Sequence, residues 1–536
     1  MIKKTLKIIG ILVLLALLFV LGFFWKDAHL DKYDTTIDEA SVPVFTSVDL
    51  PFAHQYDSEK SLPIAPSAVI DLDNDGVDEV YFGGGLNQND VILKFKDGKF
   101  IDITTGVHFE PKGNFTSTGV ATADFDNNGF QDLIIGREDG LHLYYNTNGK
   151  LTHKAIKTPL NEKSTPAGIT LGDIDKDGDL DIFLSTYIKK EKMEGQNKFM
   201  DKTYGSTSEL LLNDGNENFT SITKQAGLDY VHNTFMAILI DMDNDTNLDL
   251  IVAHDTGEVR TYKNNGNLTF TMKTNPLTNK YAYPMGIAVG DYNNDGLVDF
   301  AFSNTGSTAP RMMAKGDIED ETKFNEKWLL FENQGNFNFT DVAEKTKIAD
   351  YEFSWGLVFA DMNNDGLQDL MVAENYVDFL PNKLFRLPSR MLIQKSDHTF
   401  VPTETKSGVK NPNYAITPLV SDFNKDGHLD MIWTNINTPS LAYLNNGNMN
   451  NFIQVQLPKN AKTIGAIVTV NLASGKKLTE YQITGEGLAS DQNSLIHFGL
   501  GTEKSIKNIT VKYIDGTTDT FENPTINQIF KIQNHE

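Results

Sequence analysis

The chain has 536 residues, 40% of them apolar and 22% charged, with a net charge of -25 and no cysteine. It is long enough for several domains or one large repeat array with a substantial core. The acidic balance argues against a nucleic-acid partner, because phosphate binding needs clustered Lys and Arg; the lack of Cys excludes disulfides, thiolate metal sites and thiol catalysis.

Residues 1–26 form the first element. Lys3, Lys4 and Lys7 precede an uncharged, almost wholly apolar run from Ile8 to Trp25. As a helix that run spans about 27 Å, close to the roughly 30 Å of a bilayer core. It is expected to be a transmembrane helix whose basic flank keeps the N-terminus cytoplasmic and sends the rest of the chain out, to the periplasm or cell surface. The alternative is a signal peptide, cleaved to release a secreted protein, although the run is longer than usual and Lys26 is ill placed for cleavage near Ala28. Residues 27–42 read as a polar linker.

Residues 43–451 are repetitive. A nine-residue acidic loop opens at Asp71 (DLDNDGVDE), Asp124 (DFDNNGFQD), Asp173 (DIDKDGDLD), Asp241 (DMDNDTNLD), Asp291 (DYNNDGLVD), Asp361 (DMNNDGLQD) and Asp422 (DFNKDGHLD). Side chains at positions 1, 3, 5 and 9 and the carbonyl of position 7 can fold onto a hard cation such as Ca²⁺, with glycine at position 6 allowing the bend. The candidate ligands are Asp71, Asp73, Asp75, Val77 and Glu79 in the first loop, and Asp124, Asp126, Asn128, Phe130 and Asp132 in the second. The third offers Asp173, Asp175, Asp177, Asp179 and Asp181, and the fourth Asp241, Asp243, Asp245, Asn247 and Asp249. The fifth offers Asp291, Asn293, Asp295, Leu297 and Asp299, and the sixth Asp361, Asn363, Asp365, Leu367 and Asp369. The last offers Asp422, Asn424, Asp426, His428 and Asp430, giving up to seven Ca²⁺ sites.

An EF-hand would need an acidic residue at position 12 and flanking helices. Position 12 is instead Phe82, Ile135, Leu184, Val252, Phe302, Val372 and Trp433, each inside a β-rich run. The unit is therefore strand, loop, strand, followed by a strand, an Asn/Gly turn and a Phe-led strand. A repeat of about 50 residues with insertions suits a four-stranded propeller blade. Seven units predict a seven-bladed β-propeller. The last unit lacks its closing strand, and PVFTSV at Pro43 has the missing form, so Phe45 to Val48 is expected to close the ring. Inserts at Thr186–Glu209, Asn304–Lys327 and Glu374–Arg390 follow equivalent strands, and so should emerge on one face, where a ligand could be held.

From residue 452 to 536 the acidic loops stop and short strands alternate with turns, predicting a small β-sandwich. The DxDxDGxxD loops in β-flanked repeats resemble FG-GAP or VCBS-type repeats, the Ca²⁺-binding propeller units also seen in integrin α subunits. The terminal module resembles the ASPIC/UnbV domain through Ile464-Gly465-Ala466, Gly485 to Gln492 (GEGLASDQ), His497 to Gly501 and Val511 to Gly516. Together they resemble the cartilage-acidic-protein-like family, which implies an all-β chain with an extracellular binding role. Thr246 stands where the repeats have glycine, which should strain the fourth loop, whereas the third, with four acidic ligands and its glycine, is expected to bind most tightly.

No HExxH, GxSxG or GxxxxGK[ST] pattern is present. His254 and His497 read as structural; Trp328, Trp355, Tyr187 and Tyr376 have the chemistry to stack on sugars, although Trp355, between strand-like runs, reads better as core. Two functions follow as expectations. The first is an anchored extracytoplasmic binding, adhesion or assembly module for a protein or glycan; the alternative is a polysaccharide hydrolase or lyase with its site on the insert-bearing face.

Overall fold

Strands that are buried on both faces read as continuous apolar runs, and those that line a surface alternate. Both kinds are present in this chain. The structure is a computed structural model and describes residues 2–29, 33, 35–195, 198–216, 218–306, 311–375, 387–492 and 495–533. Among them are seven antiparallel up-and-down sheets of four strands each, the first extended by a fifth short strand. The third sheet, for example, runs Ser164–Gly172, Asp181–Ile188, Glu209–Asn213 and Phe219–Ser221. Its first two strands are buried at every residue, whereas the last is half-buried and exposed.

The leading strands of the seven sheets are Ser67–Ile70, Ser117–Ala123, Ser164–Gly172, Thr234–Ile240, Ile287–Gly290, Ser354–Ala360 and Ala415–Ser421. Each contacts the next, and the last contacts the first. That cyclic order is the arrangement of a β-propeller around a central axis. The close approach depends on glycine at two clear points: a Cβ on Gly119 would lie 1.8 Å from the carbonyl oxygen of Ala167 on the next sheet, and one on Gly168 2.5 Å from that of Phe235. The ring closes as the PVFTSV segment predicts. Phe45–Val48 pairs antiparallel with Leu441–Asn445, Phe45 opposite Asn445 and Val48 opposite Ala442, and so supplies the fourth strand of the seventh sheet.

The C-terminal region forms two further sheets. Asn451–Gln456 lies between Leu495–Gly501 and Ile529–Lys531, and Ile467–Leu472 lies between Lys477–Tyr481 and Ile506–Lys512, with Thr518–Glu522 outermost. They share one apolar cluster that includes Ile453, Val455, Val468, Val470, Phe498 and Val511. It is not an independent appendage: residues 484–492 leave this sandwich and enter the ring.

Residues Ile2–His29 are helical, and every residue from Ile8 to Val20 is exposed. Among the described residues no helix is long and apolar enough to cross a membrane. The linker is partly tied down, since the Tyr33 hydroxyl bonds to Asp350 and the Ser41 carbonyl accepts from Asn363 Nδ2 at 2.9 Å. Most of the third insert, residues 376–386 with Tyr376, lies outside the described residues.

Candidate metal centres

All seven acidic loops are tied across themselves in the same way. The position-1 carboxylate accepts the N–H of position 6 at 2.6–3.0 Å. The position-9 carboxylate accepts the N–H of position 2 at 2.8–3.2 Å. Position 5 accepts from the N–H of position 7 at 2.7–3.0 Å. Position 4 is left-handed in every loop, with φ of 57–65°, which explains the Asn at this position in five loops. Thr246 is left-handed too, at φ +71°, as its place at position 6 requires.

These turns bring together three of the predicted ligands. In the first four loops, oxygens of positions 1, 3 and 9 lie within 4.8 Å of one another: Asp71, Asp73 and Glu79; Asp124, Asp126 and Asp132; Asp173, Asp175 and Asp181; Asp241, Asp243 and Asp249. Position 5 stands outside these groups. In the last three loops the position-3 residue is Asn293, Asn363 or Asn424, whose Nδ2 donates to the position-5 carboxylate at 2.9–3.1 Å.

The donor set is hard oxygen throughout, which suits a cation such as Ca²⁺. Burial pushes Asp132, Asp181 and Asp249 up to about 8, and Asp124 and Asp173 up to about 6. A divalent cation held among them reverses that penalty by favouring the charged form. The second and third loops fit such an ion best, because among the described residues no lysine or arginine is ion-paired to their triads. The first and fourth loops differ. Lys94 Nζ lies 3.2 Å from Asp73, 2.9 Å from Asp75 and 2.6 Å from Glu79. Lys263 Nζ meets Asp243, and lies 2.7 Å from Asp245.

The loops are also joined to one another. At position 4, Asn74, Asn294 and Asn364 donate to the position-6 carbonyl of the next loop at 2.9–3.1 Å. Lys176 reaches Thr246 Oγ1 at 2.9 Å, and Lys425 joins the seventh loop to the first through the Asp75 carbonyl at 2.5 Å. A second clasp comes from Asn146, Asn213, Asn264, Asn333, Gln394 and Asn445, whose N–H groups donate to position 9 at 2.7–2.9 Å. The side chains of Asn146, Asn333, Gln394 and Asn445 then donate to the position-2 carbonyl of the preceding loop.

The GEGLASDQ segment fills the axis. A leading strand presents an unpaired edge to the centre of the ring, and those N–H groups need acceptors. The residue two before five of the seven loops shows how they are met. Thr122 donates to Asp491 at 2.6 Å, Leu171 to Thr484 Oγ1 at 2.8 Å, Val289 and Phe359 to Glu486 at 3.0 and 3.4 Å, and Val420 to Gln492 Oε1 at 3.1 Å. Ser490–Asp491 pairs with Ser67 and Ala68 of the first sheet, and the Ala489 N–H meets Met236 Sδ of the fourth. Residues 484–492 thus touch all seven leading strands.

The sandwich itself rests on the acidic-loop face. Lys459 reaches Asn74, His497 reaches Asn364, Lys476 the Gly366 carbonyl, and Lys512 the Asn244 carbonyl, at 2.5–3.1 Å. The inserts leave the opposite ends of the strands. There Phe199 of the first insert packs on Tyr281, Tyr283 and Phe324 at 5.0–6.0 Å, and Asp317 of the second accepts its N–H at 2.8 Å. His254 is buried, bonded to Tyr230 and Thr234 and stacked on His232. Trp328 and Trp355 are buried with their indole N–H groups on carbonyls, and Tyr187 donates to Asp255 at 2.5 Å, so these rings serve the core.

Sequence comparison agrees with this layout. The FG-GAP-like repeat family matches residues 71–135, 124–184, 241–302 and 323–372, and the ASPIC and UnbV family matches 456–536. Cartilage acidic protein 1 of Xenopus tropicalis is 23% identical over 516 residues, covering 89% of this chain and 74% of that protein. The protein of the same name from Mus musculus is 22% identical over 510 residues, covering 88% and 74%. Among solved structures, a lectin from Burkholderia pseudomallei superposes with a TM-score of 0.43 at 9% identity, covering 72% of this chain and 98% of the lectin. The chain thus carries FG-GAP-like repeats followed by an ASPIC and UnbV domain.

Proposed function

We propose that the protein is an extracytoplasmic binding module: a seven-bladed propeller over residues 43–451, stiffened by Ca²⁺ in its acidic loops and locked by the domain at 452–536. Positions 1, 3, 5 and 9 and the position-7 carbonyl would hold the ions. Residues 1–26 would anchor it in the cell membrane, with Ile8 to Trp25 as the single span and the propeller outside. The observation that carries this reading is the placement of the two ends of the ring. The terminal sandwich covers the acidic-loop face and fills the axis, which leaves the insert-bearing face to meet a protein or glycan. On that face Phe199 and Asp317 join the first two inserts, and Met200 and Met312 stand exposed beside them. Exposed methionines on a braced surface suit partner contact.

The test is retention. Full-length protein is presented with a panel of extracellular polysaccharides and surface proteins in Ca²⁺, and both retention and new reducing or unsaturated sugar ends are measured. Retention without cleavage, lost in Met200→Glu and Met312→Glu, supports the binding module. Cleavage of a polysaccharide would establish the hydrolase or lyase alternative.

A further inference from the structure

We infer that the first and fourth loops do not take Ca²⁺, because Lys94 and Lys263 occupy the place of the ion as built-in cations. This rests on the calcium reading of the other loops and narrows it.

The argument starts from register. Lys94 is the direct cross-strand partner of Glu79 at loop position 9. Lys263 holds the matching place in the fourth sheet, one residue beyond the pair Leu250 and Tyr262 and therefore opposite Asp249. The corresponding residues elsewhere are Tyr145, Leu212, Glu332, Ile393 and Leu444, none of them a cation. A side chain opposite position 9 stands on the same face of the sheet and within reach of it. In the first loop the ammonium touches positions 3, 5 and 9 together, and in the fourth it touches positions 3 and 5. Those are oxygens an ion would need. Ca²⁺ would have to expel a cation that the chain itself holds at high effective concentration.

Two other departures fall on these same loops. Position 9 of the first is Glu79, and Phe95 stands where the other six sheets have Asn or Gln; Glu79 Oε2 accepts the Leu72 N–H and its Oε1 meets Lys94 at 2.6 Å. Position 6 of the fourth is Thr246, held at φ +71° where its neighbours have glycine. A corner closed by a tethered lysine has no need of the ligand geometry that glycine permits.

The experiment counts bound Ca²⁺ per chain by equilibrium dialysis at saturating Ca²⁺, on the full-length protein, with melting curves to show that each variant is folded. Wild type is expected to bind at most five ions. Lys94→Met/Lys263→Met should bind two more than wild type and Lys263→Met alone one more, whereas Lys94→Arg/Lys263→Arg should gain none. More than five ions in wild type, or no gain in either methionine variant, would overturn the inference. No Ca²⁺ in any of the four proteins would overturn the calcium reading as well.

Discussion

Asp491 of the terminal sandwich accepts both the amide and the hydroxyl of Thr122, at 2.6 and 3.0 Å, across 369 residues of chain. Its other oxygen accepts the Gly485 N–H at 2.9 Å, so one buried carboxylate fixes the plug to itself and to the second sheet. Asp491→Ala leaves those donors unsatisfied in a buried place. It should destabilise the protein by about 2–4 kcal/mol, measured by urea unfolding, while Asp491→Asn, which keeps an acceptor, should lose less. An Ala variant as stable as wild type would show that the plug is not held this way.

Glu486 makes the docking of the plug pH-dependent. Burial pushes its carboxyl up to about 8 from an ordinary value of 4.5. Between those values the folded state holds a proton that the unfolded state has released, so stability falls as pH rises through the folded value. Glu486→Gln keeps an oxygen for the amides of Val289 and Phe359 without a charge to bury. It should therefore match wild type near pH 5 and exceed it near pH 9, by on the order of a few kcal/mol. Thermal melts of the two proteins at both pH values check this, and an equal offset at each pH would contradict it.

Thr246→Gly relieves a left-handed threonine, and should raise stability by roughly 0.5–1 kcal/mol even after losing the bond from Lys176. Gly178→Thr at the same position of the third loop should cost a similar amount or more. Denaturant midpoints of the pair decide it: the two substitutions must have opposite signs.

The parts of the fold that were legible in the sequence are local. A nine-residue turn between β-rich runs announces itself wherever it occurs, and the missing last strand of the seventh unit was found in PVFTSV because Phe45 repeats the pattern of Phe219, Phe270 and Phe339. The plug was not legible. GEGLASDQ identified a family motif, but its partners in the ring are mostly backbone N–H groups, which leave no mark on side-chain pattern. Lys94 and Lys263 were hidden for a different reason: their meaning depends on strand register, which places Lys94 opposite Glu79. The Asn of each Asn/Gly turn was read correctly as a turn residue, as in the Asn213 contact to Gly215, yet its N–H also holds the position-9 acid at 2.9 Å.

The central claim is that Ca²⁺ stiffens the loop corners of the ring. The most direct measurement is the melting temperature of the full-length protein in saturating Ca²⁺ and after chelation. Each site filled at a hundredfold excess over its Kd contributes about 2.7 kcal/mol, so chelation should lower the melting temperature by many degrees, with Asp173→Asn/Asp181→Asn closing part of the gap. A melting temperature that does not move on chelation would contradict the account.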